Sequence, residues 1–180
     1  QALTAQTADH SATDAGNTAV GFKAGTAVNT GYYNTLIGRT AGFAITTGAG
    51  NTVMGSEAGK AIVGGDDNTI IGKQAGIATT AGTNMTIIGK GAGAAVITAA
   101  AAGTVAVGYE ALNDLTTGAR NTALGYRVLD VLPDGSDNTG VGYNALGASN
   151  HADSDHNTAV GVNAGDVITN GYQNTIIGSG

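Results

Sequence analysis

Residues 16–25 read GNTAVGFKAG, and residues 174–180 read NTIIGSG. The shared pattern, Asn-Thr-apolar-apolar-Gly, is not confined to the two ends. Aligned on its closing glycine it recurs at Gly21, Gly38, Gly55, Gly72, Gly89, Gly108, Gly125, Gly142, Gly161 and Gly178, at spacings of 17 residues interrupted twice by 19. The position four before that glycine is Asn in eight copies, Met85 and Thr104 being the exceptions, and the next is Thr in nine, with Val105 in the tenth. A motif used once is a candidate site, whereas ten copies in register are architecture.

A period of 17 is too short for helix-pair repeats, which run to about 33 residues or more. The apolar runs are short and bounded by glycine, which is the signature of strands. Another glycine lies three residues before most copies (Gly31, Gly48, Gly65, Gly82, Gly118, Gly135, Gly171) and marks a turn. The prediction is an all-β chain: a parallel β-solenoid, or β-roll, of about ten 17-residue coils over residues 17–180, preceded by a partial coil or assembly segment at 1–16. Stacking puts equivalent residues in columns, so the asparagines are expected to form an amide ladder at a tight corner.

Composition agrees with a narrow, closely packed structure. Of 180 residues 31 are glycine, charged residues are 11% and aromatic residues 4%, which leaves small side chains to fill the interior. The absence of cysteine rules out a disulfide framework and thiolate metal ligation. A net charge of -6 opposes binding to nucleic-acid phosphates. The uncharged run 92–103 (AGAAVITAAAAG) is broken by glycine and returns to the repeat at Thr104, so no membrane insertion is expected.

Alternation along the strand predicts which columns share a face. Thr18 and Val20 point one way and Ala19 the other. The Val20 column is apolar in every copy, and the Ala19 column contains no polar member. Both faces therefore call for burial, as in sheets covered on both sides. The Val105 replacement, isosteric with threonine but apolar, favours an inward Thr column. That leaves Ala19, Leu36, Val53, Ile70, Ile87, Ala106, Ala123, Ala159 and Ile176 as the predicted interface between chains. Packing of this second face on an intrachain strand or loop is the competing reading.

The copies TVAVG (104–108) and NTAVGFKAG (17–25) resemble the head repeats of trimeric autotransporter adhesins, and equally the Asn-Thr-Ala-Val-Gly repeats of bacteriophage tail fibres. The resemblance covers residues 17–180. It implies a parallel β-roll, three chains about a common axis, and a role in attachment at an extracellular, cell-surface or virion-surface location. The 17-residue period departs from the adhesin heads, whose coils are shorter.

Specific chemistry is expected at the variable positions. Tyr109, Tyr126 and Tyr143 fall in one column after the motif glycine and form a candidate edge for a cell-surface glycan, or alternatively a structural stack. The loop ASNHADSDHN (148–157) brings His151, Asp153, Asp155 and His156 together, and Asp134 and Asp137 lie one coil earlier. It reads first as a polar loop; as a metal site its carboxylates would suit calcium and its histidines zinc. No other cofactor is implied. Catalytic motifs fail: GKGAG (89–93) falls on repeat columns without leading into a helix, and GSEAG (55–59) lacks the spacing of a nucleophile elbow, so no enzyme is expected.

Neither end reads as a capped coil. Extending the register backwards places Leu3 on the apolar column and Thr4 in the glycine place. Two expectations follow: end-to-end stacking of copies into a filament, or a fragment of a longer fibre. The functional expectation is a noncatalytic, self-associating structural protein of an extracellular or virion surface fibre with an attachment role. A receptor-binding segment of a phage tail fibre is the first alternative. An ice-binding solenoid is the second, and it requires the Thr column to face outward.

Overall fold

A computed structural model describes residues 2–3, 15–148 and 154–180. Ten three-residue strands follow one another: β1 (Thr18–Val20), β2 (Thr35–Ile37), β3 (Thr52–Met54), β4 (Thr69–Ile71), β5 (Thr86–Ile88), β6 (Val105–Val107), β7 (Thr122–Leu124), β8 (Thr139–Val141), β9 (Thr158–Val160) and β10 (Thr175–Ile177). They form one parallel sheet in sequence order. Each motif residue pairs with its counterpart in the next coil, Thr18 with Thr35 and Val20 with Ile37, and so along the sheet. The chain is a β-solenoid, with coil 1 beginning at Asn17, coil 2 at Asn34, and so on. The only helical element among the described residues is a 3-10 turn, Ala99–Ala101, inside the first of the two longer coils.

The coils are joined by backbone hydrogen bonds on both sides of each strand. The Thr18 N–H donates to Asn34 O (2.7 Å), and the Gly38 N–H donates to Val20 O (2.7 Å). At the strand end the chain turns through the motif glycine, whose φ lies between +131° and +142° in all ten copies. A side chain is excluded there twice over. The backbone conformation belongs to glycine, and a Cβ on Gly21, Gly38, Gly55 or Gly72 would lie 2.5–2.6 Å from the carbonyl oxygen of the next glycine in the column.

The interior is narrow, and this corrects the predicted assignment of faces. The inward residue of each strand is the central one. Leu36, Val53, Ile70, Ile87, Ala123 and Ala159 are fully buried within a single chain. They pack with a column of alanines (Ala24, Ala41, Ala58, Ala75) and a column of larger aliphatics (Val28, Ile45, Ile62, Leu115, Leu132). The Thr18 and Val20 columns face outward instead. A three-residue strand between two turns offers only one side chain to the inside, so the flanking pair must share the other face.

In coils 6, 7 and 8 the small members of the central column are matched by a compensating exchange elsewhere in the coil, whereas Ala19 and Ala159 keep Gly25 and Gly165 there. Where the strand residue is Leu36, Ile70 or Ile87, the position six further on is Gly42, Gly76 or Gly93. A Cβ on Gly42 would lie 2.8 Å from Leu36 Cδ2. Where the strand residue shrinks to Ala106, Ala123 or Gly140, that position becomes Leu112, Leu129 or Leu146, all fully buried and all held at positive φ of 51–53°. The volume lost from the strand is returned by the turn, as close packing demands.

Leu3 also departs from its predicted register. Its N–H donates to Ala24 O (3.1 Å), the bond that Gly25 makes to Ala41 O and Gly42 to Ala58 O. It therefore occupies the turn position of Gly25 and Leu112, with a similar φ of 48°, and not the strand column. Thr4 and residues 5–14, which make up most of the predicted N-terminal segment, lie outside the described residues.

The Gly72→Ala substitution is expected to cost on the order of 3 kcal/mol, from backbone strain plus overlap with the next coil. Gly64→Ala, at a position of ordinary φ whose nearest contact is a threonine hydroxyl, is expected to cost less than about 1 kcal/mol. Urea unfolding of the two variants measures the difference.

Candidate functional site

The corner before each strand is held by the asparagine column. The Asn34 backbone N–H and Nδ2 both donate to Asn17 Oδ1, at 2.8 and 3.1 Å. The remaining Nδ2 hydrogen bonds Gly48 O, 14 residues on in the same coil, at 2.8 Å. The same triad recurs at Asn51 and Asn68. These amides are buried; each uses both amide hydrogens, and Asn34 and Asn51 also use both lone pairs of the carbonyl oxygen. The column is therefore structural, as the spacing predicts, and is not available to a ligand.

The ladder breaks in the middle. Asn68 Oδ1 still accepts the Met85 N–H (3.0 Å), but methionine passes nothing on. The Thr104 hydroxyl in the next coil is buried without a hydrogen-bond partner. A second run then starts at Asn121, which bonds Gly135 O, and continues through Asn138, Asn157 and Asn174.

Outside the coil, the Thr and Val columns form the surface of the sheet. In the Val column Val20 is 58% exposed, Leu124 49% and Met54 40%. The threonine column is half-exposed along most of its length. No charged residue occurs at any of the 20 positions in these two columns. The strip is thus uncharged and largely apolar along the whole sheet. The predicted interface residues, Ala19 through Ile176, lie on the opposite, inner side of the same strands. The expectation that one strand face is left over for a partner applies to the Thr and Val columns instead.

The three tyrosines form a continuous stack. The ring centroids of Tyr109 and Tyr126 are 5.0 Å apart at 15°, and those of Tyr126 and Tyr143 are 5.2 Å apart at 8°. Lys90 Nζ lies 5.1 Å from the Tyr109 centroid. Sugar recognition uses ring faces, and here the rings cover one another and the lysine closes one end. Only the outer face of Tyr143 is uncovered by this stack. Beside it, Arg127 Nε lies 3.1 Å from both Glu110 and Asp130. Partial burial raises the Asp130 carboxyl above its usual range, against the pull of Arg127.

The predicted metal cluster divides. His151 and Asp153 lie outside the described residues. Asp134 accepts from the Thr116 and Thr117 hydroxyls (2.9 and 2.7 Å), and Asp155 accepts from the Ser136 N–H (2.6 Å). Asp137 takes a two-point bond from Arg120, both at 2.7 Å, with His156 Nε2 at 3.8 Å. The Arg120 hydrogen bond holds the Asp137 carboxyl below its ordinary range. Each of these carboxylates already has a donor of its own, and among the described residues no group of three His, Cys, Asp or Glu is placed to hold a metal. Gly55 and Gly89, in the two rejected catalytic motifs, sit in the strand-end glycine column.

A shallow surface cleft forms where coil 2 has Ala49 and Gly50. Tyr32 and Tyr33, in T-shaped contact at 5.1 Å, stand on one side, and Asp66 and Asp67 on the other. No helix of the described residues is long and apolar enough to cross a membrane. Comparison with known proteins finds no matching family model, no matching curated protein and no matching solved structure.

Asn51→Ala is expected to cost about 2–4 kcal/mol, because it strips the acceptor from Asn68 and the donor from Gly65 inside a buried network. Asn17→Ala, at the half-buried head of the ladder, is expected to cost about 1 kcal/mol. Chemical denaturation of both variants tests the ordering.

Proposed function

We propose that this chain is a noncatalytic structural module of a fibre or filament on an extracellular or virion surface. It associates side by side with copies of itself and serves attachment. The observation that carries the reading is the uncharged strip of Thr and aliphatic columns along the outer face of the sheet. Exposed apolar continuity on this scale is a mark of interaction surfaces, and a parallel sheet is ordinarily covered on both faces. The repeat's resemblance to adhesin heads and phage tail fibres supports the location and the attachment role.

The test is the mass in solution. The chain is expected to sediment at a multiple of 17.4 kDa. Ile71→Lys, on the outer column of coil 4, is expected to return it to monomer without changing its circular dichroism. A protein that stays monomeric at high micromolar concentration removes the reading.

Ice binding is a second reading, and the orientation of the Thr column favours it. Nine threonines lie in register on the outward face of a regular sheet, where their hydroxyls and methyls meet solvent. The structural reading predicts no thermal hysteresis from the purified chain. Hysteresis that disappears in Thr69→Lys would put ice binding first.

A further inference from the structure

The side-by-side association proposed above leaves open how the two rods run, and the charges beside the face decide it. We propose that the outer face of the sheet takes a second copy of the same chain running antiparallel, with coils 1–5 of one copy against coils 6–10 of the other. This inference rests on the structural reading of the face.

Area comes first. Ten strands at about 4.8 Å and three residues at about 3.3 Å make a strip of about 450 Å². A standard interface takes about 800 Å² from each partner. The strip alone is too small, so a stable pair must also enclose the columns that flank it, and those columns are charged.

The charges are distributed unevenly along the rod. Residues 17–103 carry Lys23, Arg39, Lys60, Lys73 and Lys90 against Glu57, Asp66 and Asp67, a net of +2. Residues 104–180 carry Arg120 and Arg127 against eight carboxylates, a net of -6. Rods packed in the same direction, whether two or three, place acidic half beside acidic half. Opposed rods place the cationic half on the acidic one, and the charges that lie beside the strip, Lys73, Lys90, Asp67 and Arg120 among them, act at contact range, where the attraction survives physiological salt.

The column next to the strip shows the same complementarity residue by residue. It reads Lys73 and Lys90 in coils 4 and 5, then Tyr109 and Tyr126 in coils 6 and 7. A two-fold axis along the strand direction, between coils 5 and 6, brings Lys90 of one copy to Tyr109 of the other and Lys73 to Tyr126. The ring faces are stacked on one another, so what the lysine ammonium groups meet at the rim is the phenolic oxygens, which accept hydrogen bonds, with the Glu110 carboxylate adjacent. On the opposite flank Asp67, two residues before β4, comes level with Arg120, two residues before β7, so opposite charges meet on that side as well.

The experiment is a distance measurement between spin labels, together with a salt titration. The chain has no cysteine, so Phe22→Cys in coil 1, where Phe22 is 61% exposed, gives one label per copy. An antiparallel pair separates the two labels by nine coil spacings, about 43 Å; parallel rods bring them within about 20 Å. Raising salt from 50 to 500 mM is expected to weaken an antiparallel pair, and Lys73→Glu with Lys90→Glu is expected to raise its Kd at least about tenfold. A short label distance, association that tightens with salt, or a trimeric mass overturns the antiparallel pair while leaving side-by-side association standing. A monomer under all conditions overturns both.

Discussion

Successive coils approach one another too closely for a side chain at the glycine that ends each strand. There the backbone leaves the sheet at a φ that only glycine holds easily, and the next coil's carbonyl lies where a side chain would be. Because the coils can close to this distance, every residue sits directly over its counterpart. That registry makes the other interactions possible. The asparagine amides meet at 2.9–3.2 Å in most steps of the ladder, the tyrosines stack, and Arg120 reaches Asp137 one coil away. In a solenoid whose stability is a sum of neighbour contacts, a single spacing shared by all columns lets each contribute at once.

Much of this was legible in the sequence, because repetition leaves a record at fixed intervals. Asn17 recurring as Asn34, Asn51 and Asn68 points to a ladder, and the ten glycines mark the strand ends. The direction of the strand's side chains was misread. Ala19 and Val20 are both apolar, so hydrophobicity alone does not say which is inside. The deciding signal was relational: Ala106, Ala123 and Gly140 shrink in the coils where Leu112, Leu129 and Leu146 replace glycine. Residues that exchange volume in this way share an interior. Leu3 was misplaced because counting back by 17 assumes an unbroken period. The aspartates around 134–156 resembled ligands because spacing does not reveal that Thr116, Thr117, Arg120 and Ser136 already donate to them.

Several independent irregularities meet between coils 5 and 6. The ladder lapses at Met85 and Thr104, the longer coil with its Ala99–Ala101 turn falls there, and glycine gives way to leucine in the turn column. The net charge of the chain also changes sign at the same level. The two halves thus keep one continuous sheet, one continuous aliphatic core and the same asparagine corner, interrupted only where they meet, while differing in electrostatics. The backbone pairing of β5 with β6 (Thr86 with Val105, Ile88 with Val107) carries the connection.

Stacking coils along an axis also stores length. The hydrogen bonds between coils run along the rod, so a pull on its two ends loads them one coil at a time. A coil that stays folded contributes about 4.8 Å to the span, whereas the same 17 residues drawn out reach about 58 Å. Each coil surrendered therefore lengthens the chain roughly twelvefold over that segment without breaking a covalent bond. Under tension the solenoid is thus a reserve of slack as well as a spacer.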